Sequence, residues 1–224
     1  MFEAWSGSAT WNRSHSKPPD GGAALWFDPK ASADRIVELT DSDRFGKVDY
    51  IKQISEGLGA LWELDRTSRL ATIIVLSQFP RKLFPGGAGA FEYDVQALAL
   101  TKKILNEGKL KEYKYFEKMF VLLPLLQSED REDSKLCLYH VERINNKMKA
   151  DPKCFSRCVN MEEFCFYVQH QHNIIQQFGR YPARNQVLGR ESTAEELAWL
   201  KSGESRFDFR KLIDDWTWKV HQLK

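Results

Sequence analysis

Two helix starts and one helix stop fall between Asn160 and Lys201, and they leave that stretch little freedom to be anything but helix, turn and helix. Asn160 with Glu163, and Ser192 with Glu195, have the spacing of capping boxes, in which the first side chain accepts an orphan N–H and the second reaches back. Between them Phe164, Val168, Ile175 and Phe178 recur on one helical face until Gly179, a residue suited to the left-handed turn that ends helices. Pro182 then disfavours helix at Tyr181, so Arg180-Tyr181-Pro182 must run extended. The second helix continues to about Lys201, before Gly203.

The rest of the chain carries the same punctuation. Asp28-Pro29 opens a helix through Glu38, and a second runs from about Asp43 to Glu56. A third begins near Asp65 and is expected to end before Pro80. Leu70, Ile73, Ile74 and Ser77 share one face of it and Val75, Leu76 and Phe79 lie elsewhere, which predicts a central, buried helix. The segment RKLFPGGAG reads as a loop. A helix from about Ala90 to Glu107 has one apolar stripe of Phe91, Val95, Leu98 and Leu105 and another of Tyr93, Ala97, Leu100 and Ile104, the pattern of a helix sandwiched between neighbours in a stacked solenoid.

The next helix, about Lys111 to Leu123, is expected to bend or end at Pro124. Ser128 is expected to cap a further one, with Glu129 and Asp130 in its first turn and a stripe of Cys137, Val141, Ile144 and Met148. The last segment, Phe207 to Leu223, places Leu212, Ile213, Trp216, Val220 and Leu223 on one side of an amphipathic helix expected to pack on the body. Alternating runs and Asn-Gly hairpins are missing, so the fold class is all-α, with about eight to nine helices. The expected organisation is an arm over residues 1–24, a single helical domain over 25–206 and a C-terminal helix over 207–224.

Thirty-three basic against thirty-one acidic residues leave a net charge of +2, too little for the basic footprint of a nucleic-acid binder. No apolar run approaches the ~20 residues of a membrane span, and the N-terminus lacks a basic-then-apolar signal pattern. A reducing cytoplasm is therefore the expected location. Cys154, Cys158 and Cys165, with His170 and His172 downstream, lack a zinc-knuckle spacing and read as free thiols, as does Cys137; neither a metal nor a cofactor is expected.

The candidate site follows from the turn. Arg180, Arg184 and Arg190 crowd beside the positive end of the helix after Ser192, an arrangement suited to a phosphate, a carboxylate or an acidic peptide. The alternative is that each arginine braces the loop against acids such as Asp94, Glu129, Asp130 or Glu195. His172 lies at the edge of its helix's apolar stripe and is a candidate acid–base group, oriented by Glu129 or Asp130. Ser77 has no nucleophile-elbow pattern, and Gly86, Gly87 and Gly89 lack the Lys-Ser/Thr of a phosphate loop.

These residues carry a resemblance. Trp26-Phe27 with Asp34, LATIIVLSQFPRKLF, Ala90-Phe91 with Asp94, FVLLPLLQSED and the stretch FGRYPARN…LGREST are similar to the family called domain of unknown function 924, over about residues 25 to 205. The resemblance implies a tetratricopeptide-like, all-helical fold of stacked hairpins and no established activity. It implies a pocket formed by Arg81, Asp94, Ser128, His172, Arg180, Arg184, Asn185 and Arg190, with Phe79, Glu129 and Asp130 also retained. Ser77, Lys82, Gln127 and Ala183 depart from the family pattern, at places where an aspartate, an asparagine and two histidines are usual. Three functions stay open: a binding protein for an anionic ligand or acidic peptide, a hydrolase or transferase with His172 as acid–base group, and a polar cluster that only holds helices together. The oligomeric state is not readable.

Overall fold

The computed structural model describes residues 49–58, 65–150 and 160–203, and every regular element among them is helical. The arm, the Asp28–Glu38 helix, Cys154, Cys158 and the segment Phe207–Leu223 lie outside the described residues. Two compact units are present, Met1–Gln127 and Ser128–Lys224.

In the first unit, α1 (Asp49–Gln53) passes into a π-turn at Ile54–Leu58. Helix α2 (Arg66–Ser77) is capped by Asp65, whose carboxylate accepts the N–H groups of Thr67 and Ser68. Every residue of α2 from Arg69 to Ser77 is buried, as its all-round apolarity predicts. Helices α4 (Asp94–Asn106) and α5 (Tyr115–Gln127) pack on α2 and on each other.

Instead of opening into a loop after Gln78, the chain re-enters helix as α3 (Phe79–Leu83), so Arg81 and Lys82 are helical. Pro80 sits in the first turn of α3, where no N–H is needed and its fixed φ suits the helix. Helix α4 buries one stripe only: Tyr93, Ala97, Leu100 and Ile104 are inside, while Val95 is 76% exposed and Phe91, Leu98 and Leu105 are half-buried. Apolar residues on an outer face need no covering partner, and among the described residues this stripe is not buried.

Pro124 lies within α5 and does not end it. An internal proline costs ~3 kcal/mol. Phe116, Met119, Phe120, Val121, Leu122, Leu125 and Leu126 are all buried on this helix, and each contributes about 1.5–3 kcal/mol when covered, so packing outweighs the break. The Thr101 hydroxyl of α4 donates to the Val121 carbonyl at 2.8 Å, beside the disturbed part of the ladder. Thr101→Val keeps the shape and removes that donor; urea unfolding is expected to show a loss of about 1 kcal/mol.

In the second unit, α6 (Arg131–Lys149) and α7 (Asn160–Phe178) run antiparallel, tied near one end by Ser134 and His172 and near the other by Lys149 and Glu162. The predicted stripes, Cys137, Val141, Ile144 and Met148 on α6 and Phe164, Val168 and Ile175 on α7, are buried. The cap of α6 is Asp130 and not Ser128: the Asp130 carboxylate accepts from Glu132 and Asp133, while the Ser128 hydroxyl accepts the Asp130 N–H and donates to Asp133. Helix α7 ends at Gly179, with φ of 68°, and Arg131 donates to the Ile175 and Gln176 carbonyls at that end. A short helix, α8 (Ala194–Ser202), stops at Gly203, also left-handed.

A carboxylate-framed turn as candidate functional site

The turn between α7 and α8 takes its shape from its sequence before any long-range contact is made. Tyr181 is extended, as the following proline dictates, Pro182–Arg184 form one 3-10 turn, and the Arg190 N–H closes the loop on the Asn185 carbonyl at 2.8 Å. Two carboxylates then fix it.

Glu196 is the first. Arg180 grips it as a fork, Nε to Oε1 at 2.6 Å and a terminal nitrogen to Oε2 at 2.8 Å, and also donates to the Glu191 carbonyl at 2.9 Å. Oε2 further accepts the Thr193 N–H at 2.8 Å and the Asn185 side-chain amide at 3.1 Å. Glu196 is 2% exposed, yet four donors favour its charged form. The bond from Arg180, followed by those from Thr193 and Asn185, outweighs burial and holds its pKa down to about 2. The same contacts decide the register of α8. The sequence Ser192-Thr193 followed by Glu195-Glu196 offers two capping boxes; the structure forms Thr193 with Glu196, not Ser192 with Glu195. Only that register turns a carboxylate inward to meet Arg180.

Glu129 is the second. Its two oxygens meet Arg190 at 2.6 and 3.0 Å, and Oε1 accepts the Tyr181 N–H at 2.9 Å, while Arg190 also reaches the Tyr181 carbonyl at 3.3 Å. Burial pushes its carboxyl up, but the bonds from Arg190 and Tyr181 and the nearby charges of Arg184 and Arg190 more than offset this, leaving it below the usual carboxylate range. The Arg184 guanidinium lies over the Tyr181 ring, 4.4 Å from its centroid.

The other candidates have defined places. Asn185 is buried and bridges Ser192 to Glu196. Ser128 and Asp130 organise the start of α6. His172 meets the Ser134 hydroxyl through Nδ1 at 2.9 Å. The expected orienters are elsewhere: Glu129 faces Arg190, and Asp130 accepts the first N–H groups of α6. Arg81 and Asp94 belong to the first unit, where the arginine forks onto the aspartate at 2.6 and 2.7 Å, donates to the Ser77 and Ala90 carbonyls, and lies over the Phe91 ring. Ser77 is buried, with its hydroxyl donating to the Ile73 carbonyl at 2.7 Å.

Sequence reasoning missed Glu196 and Ser134. Glu196 had a signal, its spacing from Thr193. Ser134 had none, because its meeting with His172 spans two helices. Among the described residues no group of three or more histidine, cysteine or acidic side chains could hold a metal, and no helix is long and apolar enough to cross a membrane.

The family model for DUF924, described as bacterial protein of unknown function, matches residues 3–204, reaching further toward the N-terminus than the motifs around Trp26. No curated protein matches the chain. Among solved structures, a protein of unknown function from Agrobacterium tumefaciens is similar, with 22% identity over 79% of this chain and 100% of that one and a TM-score of 0.54, a likeness of fold.

Proposed function

The chain belongs to the DUF924 family of bacterial proteins of unknown function, and we propose that it is a non-catalytic helical binding protein whose Arg180–Arg190 turn takes an anionic group, a phosphate, a carboxylate or an acidic peptide side chain. One observation carries this reading. Three guanidiniums, Arg180, Arg184 and Arg190, are gathered in one fixed turn against two inward-facing carboxylates, Glu129 and Glu196. The frame that fixes the turn removes most of the ordering cost that a mobile loop incurs on binding.

Within the turn the roles differ. Arg180 and Arg190 fork onto Glu196 and Glu129 and hold the loop. Arg184, whose guanidinium lies over the Tyr181 ring, is the recognition cation. The hydrolase or transferase reading needed a carboxylate oriented on His172; its observed Nδ1 partner is the Ser134 hydroxyl, and nothing in the geometry favours that chemistry.

The test is thermal melting of the full chain with inorganic phosphate, a nucleotide and an acidic peptide, repeated on Arg184→Ala. The expected result is a ligand-dependent rise in Tm for at least one probe, lost in Arg184→Ala, with the unliganded stability changed by no more than about 1 kcal/mol. A wild-type Tm indifferent to all three probes, or a variant that responds as the wild type does, overturns the reading and leaves the cluster as a brace between helices.

A further inference from the structure

Helix α4 turns an apolar row outward. Val95 and Ala99 are exposed and Leu98 and Leu105 half-buried, on the side of the helix away from the buried Ala97 and Ile104. Val95, at 76%, is the most exposed large apolar side chain among the described residues. Steps of three and four residues put Val95, Leu98, Ala99, Lys102 and Leu105 on one helical face, and the methylene stem of Lys102 continues the row between the leucines. Single apolar side chains on a surface need no partner. A continuous row with a small residue at its middle is a place where another helix can lie close.

Charge along the helix selects the occupant. Glu92 is exposed just before α4 begins, and Lys102 and Lys103 are exposed near its end. Asp94, the other acid at the start, is already engaged by the Arg81 fork. A second copy of α4 laid antiparallel brings the acidic start of each helix against the basic end of the other, and does so twice. Laid parallel, the same two helices set like charges side by side. With a two-fold axis between Leu98 and Ala99, the leucine of each copy covers the alanine of the other, and each Val95 covers a Lys102 stem. The face complements itself in residue size and in charge, the property a two-fold contact requires.

We propose that the outer face of α4 is the interface of a symmetric dimer, in which two copies of this chain meet antiparallel along Val95, Leu98, Ala99 and Leu105. The 13 residues of the helix span about 20 Å, which places the interface at the small end of the specific range and the Kd at roughly 10–100 µM. The proposal stands apart from the anion site, whose residues all belong to the other unit.

Sedimentation velocity on the full chain over roughly 1–300 µM tests it. The wild type is expected to pass from monomer to dimer across that range. Val95→Asp sets two carboxylates into the interface and is expected to weaken the dimer about hundredfold, with the Tm of the dilute, monomeric protein unchanged because the side chain is exposed there. Lys102→Glu with Lys103→Glu is expected to weaken it roughly tenfold, and adding Glu92→Lys to that pair to restore wild-type association. A wild type that stays monomeric to the highest concentration overturns the proposal, as does a dimer that Val95→Asp leaves intact. A fall in the Tm of dilute Val95→Asp overturns it too, because the face is then covered by the same chain. A charge swap that fails to restore association removes the antiparallel arrangement and the proposal with it.

Discussion

Glu196→Ala is expected to lower the unfolding free energy by about 3 kcal/mol, the largest effect of any single change in the turn, because it breaks a buried pair and leaves other groups unmatched. The Arg180 fork, the Asn185 amide and the Thr193 N–H all lose their acceptor together, and the capping box of α8 goes with them. Denaturant unfolding measures the loss. A double-mutant cycle with Asn185 is expected to be strongly non-additive, since both act through one carboxylate. A cost below about 0.5 kcal/mol would mean that the frame does not hold the turn.

The same residue predicts a pH profile. Its folded-state pKa, about 2, lies below its ordinary value of 4.5, so the stability it contributes is complete above 4.5 and is lost as the pH falls toward 2. Glu129 is shifted in the same direction and adds to that loss. Wild-type stability should therefore fall through this acid window, and the fall should be shallower in Glu196→Ala. Equal slopes in the two proteins would contradict the assignment.

Glu129→Gln gives the second large effect, with opposite signs on two observables. Neutralising the carboxylate weakens the Arg190 fork and the acceptor for the Tyr181 N–H, and stability is expected to fall by about 2 kcal/mol. The turn then keeps its three guanidiniums with one carboxylate fewer, so a phosphate or acidic peptide should bind roughly tenfold tighter, about 1.4 kcal/mol. Isothermal titration beside urea unfolding separates the two. A purely structural cluster gives the loss of stability with no gain in affinity, and that pairing of results removes the anion reading while leaving the frame intact.

How far the sequence alone reaches can be judged at particular residues. The buried stripes of α6 and α7, the stop at Gly179 and the extended Tyr181 before Pro182 were legible because they depend on side-chain periodicity and local backbone sterics. A helix end at Leu123 was misjudged for the converse reason: the local cost of Pro124 is real, but the apolar residues around it in α5 bury enough surface to exceed it. The stripe of Phe91, Val95, Leu98 and Leu105 on α4 misled because periodicity marks which residues are apolar and not which face has a neighbour. The arginine cluster was visible as a cluster, and its possible acids were named, but Glu195 was expected where Glu196 serves.

That last residue marks the division. Unaided, the chain's order of residues determined an all-helical protein, the places where most helices begin and end, and a cationic turn between two of them, because each depends on interactions within a few residues. Which of two adjacent capping boxes forms, which acid meets which arginine, and whether His172 faces a carboxylate or Ser134 were decided only by the tertiary structure. Those choices compare nearly equal local options, and the difference comes from contacts such as that of Glu129 with Arg190, 61 positions apart, which no local pattern records.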